Sequence, residues 1–182
     1  VLTNARLYRE ARRHLEEVSL IQSMALAGAS GKPFDEIVAE ATERLCQLWD
    51  SHHLGFLFPD ENGALKAHTS YVGLAPDLQR SLRVQPGQGL TGWVFKTGKP
   101  IVVPDVRQNL QYFSMASETL CEMDAPLMVG ERVIGVINVE SVRLNAFQDE
   151  DLHLLSALAG QLAIILDNVQ AHRDLADRAQ QL

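Results

Sequence analysis

The hydrophobic period of this chain changes twice, from helical to alternating and back to helical, and that order points to a sheet bracketed by two helical ends. From Leu7 to about Ala29 there is no proline, and Leu7, Ala11, His14, Val18, Ile21 and Ala25 recur at helical spacing with Arg and Glu between them. The pattern predicts an amphipathic helix with a coiled-coil-like seam. Ser30-Gly31-Lys32-Pro33 interrupts it, and Pro33 opens a second helix on the stripe Phe34, Ile37, Val38, Ala41, Leu45 and Leu48. The closing segment starts with Asp149, Glu150 and Asp151, charges that suit a helix N-terminus, and then runs without proline to Leu182. Its stripe, Leu158, Leu162, Ile165, Val169, His172, Ala176 and Ala179, continues beyond the point where one core should end.

Strands occupy the middle. His53 to Phe58 is a short apolar run, Asp60-Glu61-Asn62-Gly63 is turn chemistry, and Ala64 to Ser70 alternates, which together predict a hairpin. Ala75 to Arg83 has room for a helical turn, Gly89 to Phe95 for a short helix, and Ile101 to Val103 for a short strand. Pro104 to Glu118 has no clean period and reads as an irregular loop with a helical turn, the kind of connection that carries sites. Met123 to Val129, Gly130-Glu131 and Arg132 to Glu140 predict a second hairpin, with Val133, Gly135, Ile137 and Val139 on one face.

Composition sets the outer limits. A chain of 182 residues with 46% hydrophobic and 21% charged residues supports one ordinary core. No uninterrupted apolar run reaches the roughly 18 residues of a membrane span, so no membrane contact by this segment is expected. The net charge of −7 argues against a nucleic-acid groove, which needs a concentrated basic surface. Cys46 and Cys121 are the two cysteines and form no CxxC pair, which suits a reducing, cytoplasmic setting. The chain does not begin with Met and is expected to be a piece of a longer protein. The likeness of Asn4 to Glu10 and Asn168 to Asp174 suggests similar entry and exit helices, as in one unit of a tandem array.

Four constellations bear on chemistry. Gly87-Gln88-Gly89-Leu90-Thr91-Gly92 is a literal G-x-G-x-x-G with Asp105 beyond it, but Pro86 stands where a buried strand should feed the turn. These glycines are expected to serve a positive φ and close packing at the start of a short helix, not a dinucleotide. His52 and His53 are adjacent, so strand alternation sends them to opposite faces; with His68 across the hairpin a metal site is conceivable, but ordinary strand histidines are the expectation. Glu122 and Asp124 share a face: on the pocket side they would recognise an amine or cation, while the expected reading is a solvated pair or one that meets Arg132 across the hairpin. Finally, Phe56, Phe58, Tyr71, Trp93, Tyr112, Phe113, Met115 and Met123, with Cys121, are the candidates for an apolar pocket wall.

The three blocks PGQGLTGWVFKTGKPIVVPDV, CEMDAPLMVGERVIGVINVES and AFQDEDLHLLSALAGQLAIILDN occur in this order and closely resemble the GAF domain of bacterial signal-transduction proteins. The resemblance implies an α+β fold, an antiparallel sheet of five or six strands with the N- and C-terminal helices on one face and a small-molecule pocket on the other. It divides the chain into a linker and dimerisation helix over 1–29, a GAF domain over 30–170 and an exit helix over 171–182 leading to a following domain. It implies a sensing or signal-transmitting module that is not itself an enzyme, cut from a larger cytoplasmic regulator such as a sensor histidine kinase or a cyclic-di-nucleotide enzyme, although the chain contains no kinase or cyclase motif. Expected partners are a second copy through the terminal helices, adjacent domains of the parent protein and a small molecule.

The pocket is expected between the sheet and the segment from Leu90 to Glu118, with a volume above roughly 300 Å³ if it is a working site. The family does not name its ligand or cofactor. Cyclic-nucleotide members carry an Asn-Lys pair, whereas here Asn138 is followed by Val139, although Phe147 and Asp151 fit their pattern. No bilin, haem or metal signature is present: Cys121 is followed by Glu122 and Cys46 lies in the second helix. The alternatives are a free methionine sulfoxide reductase, whose Gly-rich block holds a cysteine where this chain has Leu90 and Thr91, and a ligand-free structural dimerisation module.

Overall fold

The computed structural model describes residues 2–113 and 118–180. Helix α1 (Leu2–Ala29) ends where Gly31 takes a positive φ of 74°, and Pro33 then caps α2 (Phe34–Cys46), its carbonyl accepting from the amides of Glu36 and Ile37. Strand β1 (His53–Pro59) turns into β2 (Leu65–Ala67) through Asp60, whose carboxylate accepts from the amides of Asn62 and Ala64. Helices α3 (Pro76–Ser81) and α4 (Gly89–Thr97) follow; α4 stops at Gly98 in the left-handed region. Then come β3 (Ile101–Val103), a 3₁₀ turn at Val106–Gln108, β4 (Cys121–Val129), β5 (Arg132–Ser141) and α5 (Asp149–Gln180).

The five strands form one antiparallel sheet in the order β2-β1-β5-β4-β3. Its two faces differ in kind. Leu54 and Phe56 of β1, Cys121, Met123, Ala125 and Leu127 of β4, and Ile137 and Val139 of β5 join the apolar sides of α1, α2 and α5 in the main core. The opposite face, beneath α3 and α4, packs Leu57, Leu65, Tyr71, Val84, Val94 and Val136 in a smaller cluster. Val133 departs from the expected face: the register slips between Leu127 opposite Gly135 and Met128 opposite Val133, a bulge that turns Val133 toward Gly98 at the end of α4.

Helices α1 and α5 lie side by side, close enough that a Cβ on Gly28 would stand 2.9 Å from Ile165 Cγ2. In α1 the residues buried against the domain are Leu20, Met24 and Ala27, one step around from the seam expected from spacing. The N-terminal part of the expected seam faces outward, with Leu7 56% exposed and His14 and Val18 exposed too, while Ile21 is half-buried against the core. In α5 Leu158 and Leu162 are core, while Ile164, His172 and Leu175 are exposed. The stretch Asp149–Leu175 is long and apolar enough by composition to cross a membrane, with mean hydropathy 1.5, but Leu155, Leu158, Ala159, Leu162, Ala163 and Leu166 are spent in the core under the sheet.

Candidate functional site

Strand alternation gathers four polar side chains on the α4 side of the sheet: Glu122 and Asp124 from β4, Asn138 and Glu140 from β5. Their exposures are 3%, 0%, 2% and 7%, so three carboxyls are buried within one patch. β1 adds His53 opposite Glu140 and Gly55 opposite Asn138. Gly55 is required by the ring of Tyr71, because a Cβ there would stand 2.6 Å from it. Helix α4 closes the patch with Thr91. It can approach because Gly92 has no side chain: a Cβ would meet the Gln85 carbonyl at 2.4 Å, and Gly87 and Gly89 take positive φ of 88° and 63° on the way in. The glycine motif therefore serves backbone geometry and close packing, as its sequence context predicts.

One network binds the patch. The Asn138 amide donates to Glu122 Oε1 at 3.1 Å and to Asp124 Oδ1 at 3.0 Å, and its oxygen accepts from the Tyr71 hydroxyl. Thr91 Oγ1 reaches the same two carboxylate oxygens at 3.5 and 3.4 Å. Glu140 Oε2 accepts from the Thr119 hydroxyl and lies 3.2 Å from His53 Nδ1. Asp124 Oδ2 is buried and receives no hydrogen bond from outside the acidic pair.

Charge is costly in such a place. Burial raises the Asp124 carboxyl to about 7, opposed by its hydrogen bonds with Glu122, Asn138 and Thr91 and reinforced by the Glu140 charge. Burial first, and then the neighbouring Asp124 charge, push Glu122 well above the usual carboxylate range. Burial does the same to the Tyr71 phenol. A cavity of about 10 Å³ adjoins the patch, lined by Val84, Gln88, Gly89, Leu90, Thr91, Phe113, Glu122 and Glu140. That is room for one water or one ammonium-sized group. Among the described residues this cavity is far smaller than the roughly 300 Å³ expected of a working site under α4.

The residues singled out for a pocket wall divide between the two faces. Tyr71, Trp93 and Tyr112 are on the α4 side, with Tyr112 packed beside Leu90, Val103 and Val106. Phe56, Cys121 and Met123 point the other way into the helix-covered core, and Phe58 packs edge-on against Phe34 of α2 at 5.1 Å. Those four line no space under α4. Met115 lies outside the described residues. Glu122 and Asp124 are neither solvated nor paired with Arg132, which instead reaches Asp167 at 2.8 Å. His52 precedes the strand, so alternation does not govern it: its ring lies on that of His53, centroids 3.8 Å apart. His68 stands elsewhere, held by Ser70 and Asp35. Phe147 is buried core, and Asp151 caps α5 and accepts from the Trp49 indole at 3.0 Å, so both are structural. Asn138, Glu140, Thr91 and Thr119 are the site residues that sequence reading did not assemble.

The model of the GAF domain family matches residues 31–167. Among curated proteins, GAF domain-containing protein A of Dictyostelium discoideum is 31% identical over 86 residues, 47% of this chain and 52% of that protein. The Nif-specific regulatory protein of Herbaspirillum seropedicae is 24% identical over 93% of this chain and 32% of its own length. The formate hydrogenlyase transcriptional activator FhlA of Escherichia coli is 23% identical over 90% of this chain and 25% of its own length. The chain thus spans between a quarter and about half of these relatives.

Among solved structures, the free methionine-R-sulfoxide reductase of Neisseria meningitidis in complex with its substrate superposes with a TM-score of 0.75 at 21% identity, covering 86% of this chain and 91% of that one. A GAF sensor protein of Burkholderia vietnamiensis gives 0.74 at 20% identity, covering 87% and 98%. At these identities the likeness is one of fold. The family match over most of the chain, the antiparallel sheet with long helices on one face and the closing α4 on the other agree, and the chain belongs to the GAF domain family.

Proposed function

We propose that this chain is a regulatory GAF domain that binds the cationic group of a small molecule beneath α4 and passes the resulting shift to its terminal helices. The observation that carries this reading is Asp124: a wholly buried carboxyl whose Oδ2 has no hydrogen-bond donor outside the acidic pair, beside Glu122, which with Glu140 lines a cavity sized for one small group. An ammonium supplies both the missing donor and the missing charge, whereas an anion would face Glu122, Asp124 and Glu140 together. The space beneath α4 falls far short of the roughly 300 Å³ expected of a formed pocket, so binding has to open it, and a ligand larger than its ammonium group has to displace Phe113, which borders the cavity and is exposed. Thermal unfolding of the purified chain with millimolar methylammonium, against sodium at equal ionic strength, tests the reading: methylammonium raises the midpoint of the native chain and not of Asp124→Asn.

The placement of sulfur supports this reading over a reductase. The two cysteines of the chain are Cys46 on α2 and Cys121 on the helix-covered face of β4, and burial raises the thiol pKa of both. Neither thiol lines the cavity beside the acidic patch, which favours binding over thiolate chemistry at this site. The regulators among the relatives, matched over 90% or more of this chain, support a regulatory role within a longer protein. The outward stripe of α1 and α5 supports association of two copies through the terminal helices, and a histidine kinase or other output domain is a further proposal of the same kind.

A further inference from the structure

We propose that His52, His53 and Glu140 form a binding site for a divalent first-row transition metal, of the zinc class, at the edge of the sheet where β1 begins and β5 ends. This goes beyond the reading above, which rests on Asp124 and Glu122 and shares only Glu140 with this cluster. One nitrogen from each imidazole and one carboxylate oxygen of Glu140 lie within 4.8 Å of one another. His53 is 6% exposed and Glu140 7%, and His52 is half-buried, so the three form a largely desolvated cluster with one side toward solvent.

Each imidazole ring is already held by a hydrogen-bond partner of its own. His53 Nε2 faces the Gly73 carbonyl at 3.2 Å; a carbonyl only accepts, so the proton sits on Nε2 and, in the neutral ring, Nδ1 presents its lone pair to Glu140 Oε2. In the same way His52 Nδ1 donates to the Glu140 carbonyl at 3.2 Å, which leaves Nε2 as the bare nitrogen, and that atom is buried with no partner. Glu140 is held by the Thr119 hydroxyl. Metal-binding histidines are recognised by this outer pattern, in which the remote N–H is fixed by a carbonyl or carboxylate. The 3.2 Å between His53 Nδ1 and Glu140 Oε2 also matches the spacing of about 3.3 Å between two ligand atoms on one tetrahedral ion with bonds near 2.0–2.1 Å.

Two imidazoles and a carboxylate favour zinc, cobalt or iron over the hard cations magnesium and calcium, and leave a fourth position for water or a ligand atom. The loop that covers the cluster is fixed by Gly73, where φ is 96° and a Cβ would stand 2.1 Å from the His52 carbonyl oxygen. A side chain at that position would lift the covering strand of loop away from both histidines.

Titration of Co²⁺ and Zn²⁺ into the chelator-treated chain tests the proposal. We expect one ion per chain, visible absorption from tetrahedral Co²⁺ that Zn²⁺ displaces, and a higher unfolding midpoint with Zn²⁺. His52→Gln weakens Zn²⁺ binding at least tenfold, roughly, and Thr119→Val, which removes only an orienting group, weakens it about 10–100-fold. His68→Gln leaves it unchanged. Because these variants could disturb folding, long-range ¹H–¹⁵N spectra of the native chain supply a second readout: Zn²⁺ moves the ring nitrogens of His52 and His53. Absence of stoichiometric binding, binding that survives His52→Gln in a folded chain, or shifts confined to His14, His68, His153 and His172 would overturn it.

Discussion

Asn138 and Asp124 stand opposite each other on β5 and β4, and the Asn138 amide that reaches Asp124 Oδ1 at 3.0 Å is shared with Glu122 Oε1 at 3.1 Å. The amide shares these two buried carboxyls with the Thr91 hydroxyl, Glu122 itself hydrogen-bonds to Asp124, and Asp124 Oδ2 has no donor outside the acidic pair.

Asp124 makes stability depend on pH. Its carboxyl is raised from 3.8 to about 7 in the folded chain, facing Glu122 from its own strand, Glu140 from β5, the Tyr71 phenol and the neutral Thr91 of α4. Below about pH 4 both states hold the proton and the full stability is present. Between about pH 4 and 7 the unfolded chain releases a proton that the folded chain keeps, so stability falls as pH rises, by at most about 4 kcal/mol. Glu122 acts in the same direction. Asp124→Asn flattens this dependence and raises the midpoint at about pH 8, as measured by thermal unfolding across pH.

Tyr71→Phe removes the hydroxyl that donates to Asn138 and leaves a buried amide oxygen without a partner. The expected loss is about 1–3 kcal/mol by chemical denaturation. An unchanged midpoint would mean that water replaces the hydroxyl.

Gly55→Ala is expected to cost about 1–3 kcal/mol, because the new methyl meets the ring of Tyr71 at 2.6 Å and its Cα at 2.8 Å. The clash lifts the ring from the sheet, so the near-ultraviolet spectrum changes as well.

The outward stripe carries the prediction of association. Leu7 and Leu15 of α1 are 56% and 69% exposed, and Leu175 of α5 is 63% exposed. Sedimentation equilibrium is expected to give a dimer for the native chain and a monomer for Leu7→Arg/Leu15→Arg, with the far-ultraviolet spectrum retained. A native chain that stays monomeric at micromolar concentration, unchanged by removing residues 171–182, would contradict it.

Much of this fold was legible because the elements are marked locally: Pro33 opens α2, Gly98 ends α4, Gly130 turns β4 into β5, and Asp149 to Asp151 start α5. The site was harder to read, for an identifiable reason. Cys121 and Met123 alternate with Glu122 and Asp124, so they cannot share a wall with them, and extending the same period into β5 places Asn138 and Glu140 beside the acids. Three features lay beyond the pattern. The outward turn of the α1 seam depends on which side docks to the domain, the bulge at Ile134 shifts Val133, and the stacking of His52 on His53 depends on where β1 begins.

The most direct measurement is the unfolding midpoint at about pH 8, where Asp124 is largely ionised, with millimolar methylammonium against sodium at matched ionic strength. The account predicts that methylammonium raises the midpoint of the native chain, that the gain shrinks as pH falls below about 7 and Asp124 takes up its proton, and that Asp124→Asn abolishes it. Equal midpoints in the two salts at every pH would contradict the claim that this acidic site receives a cation.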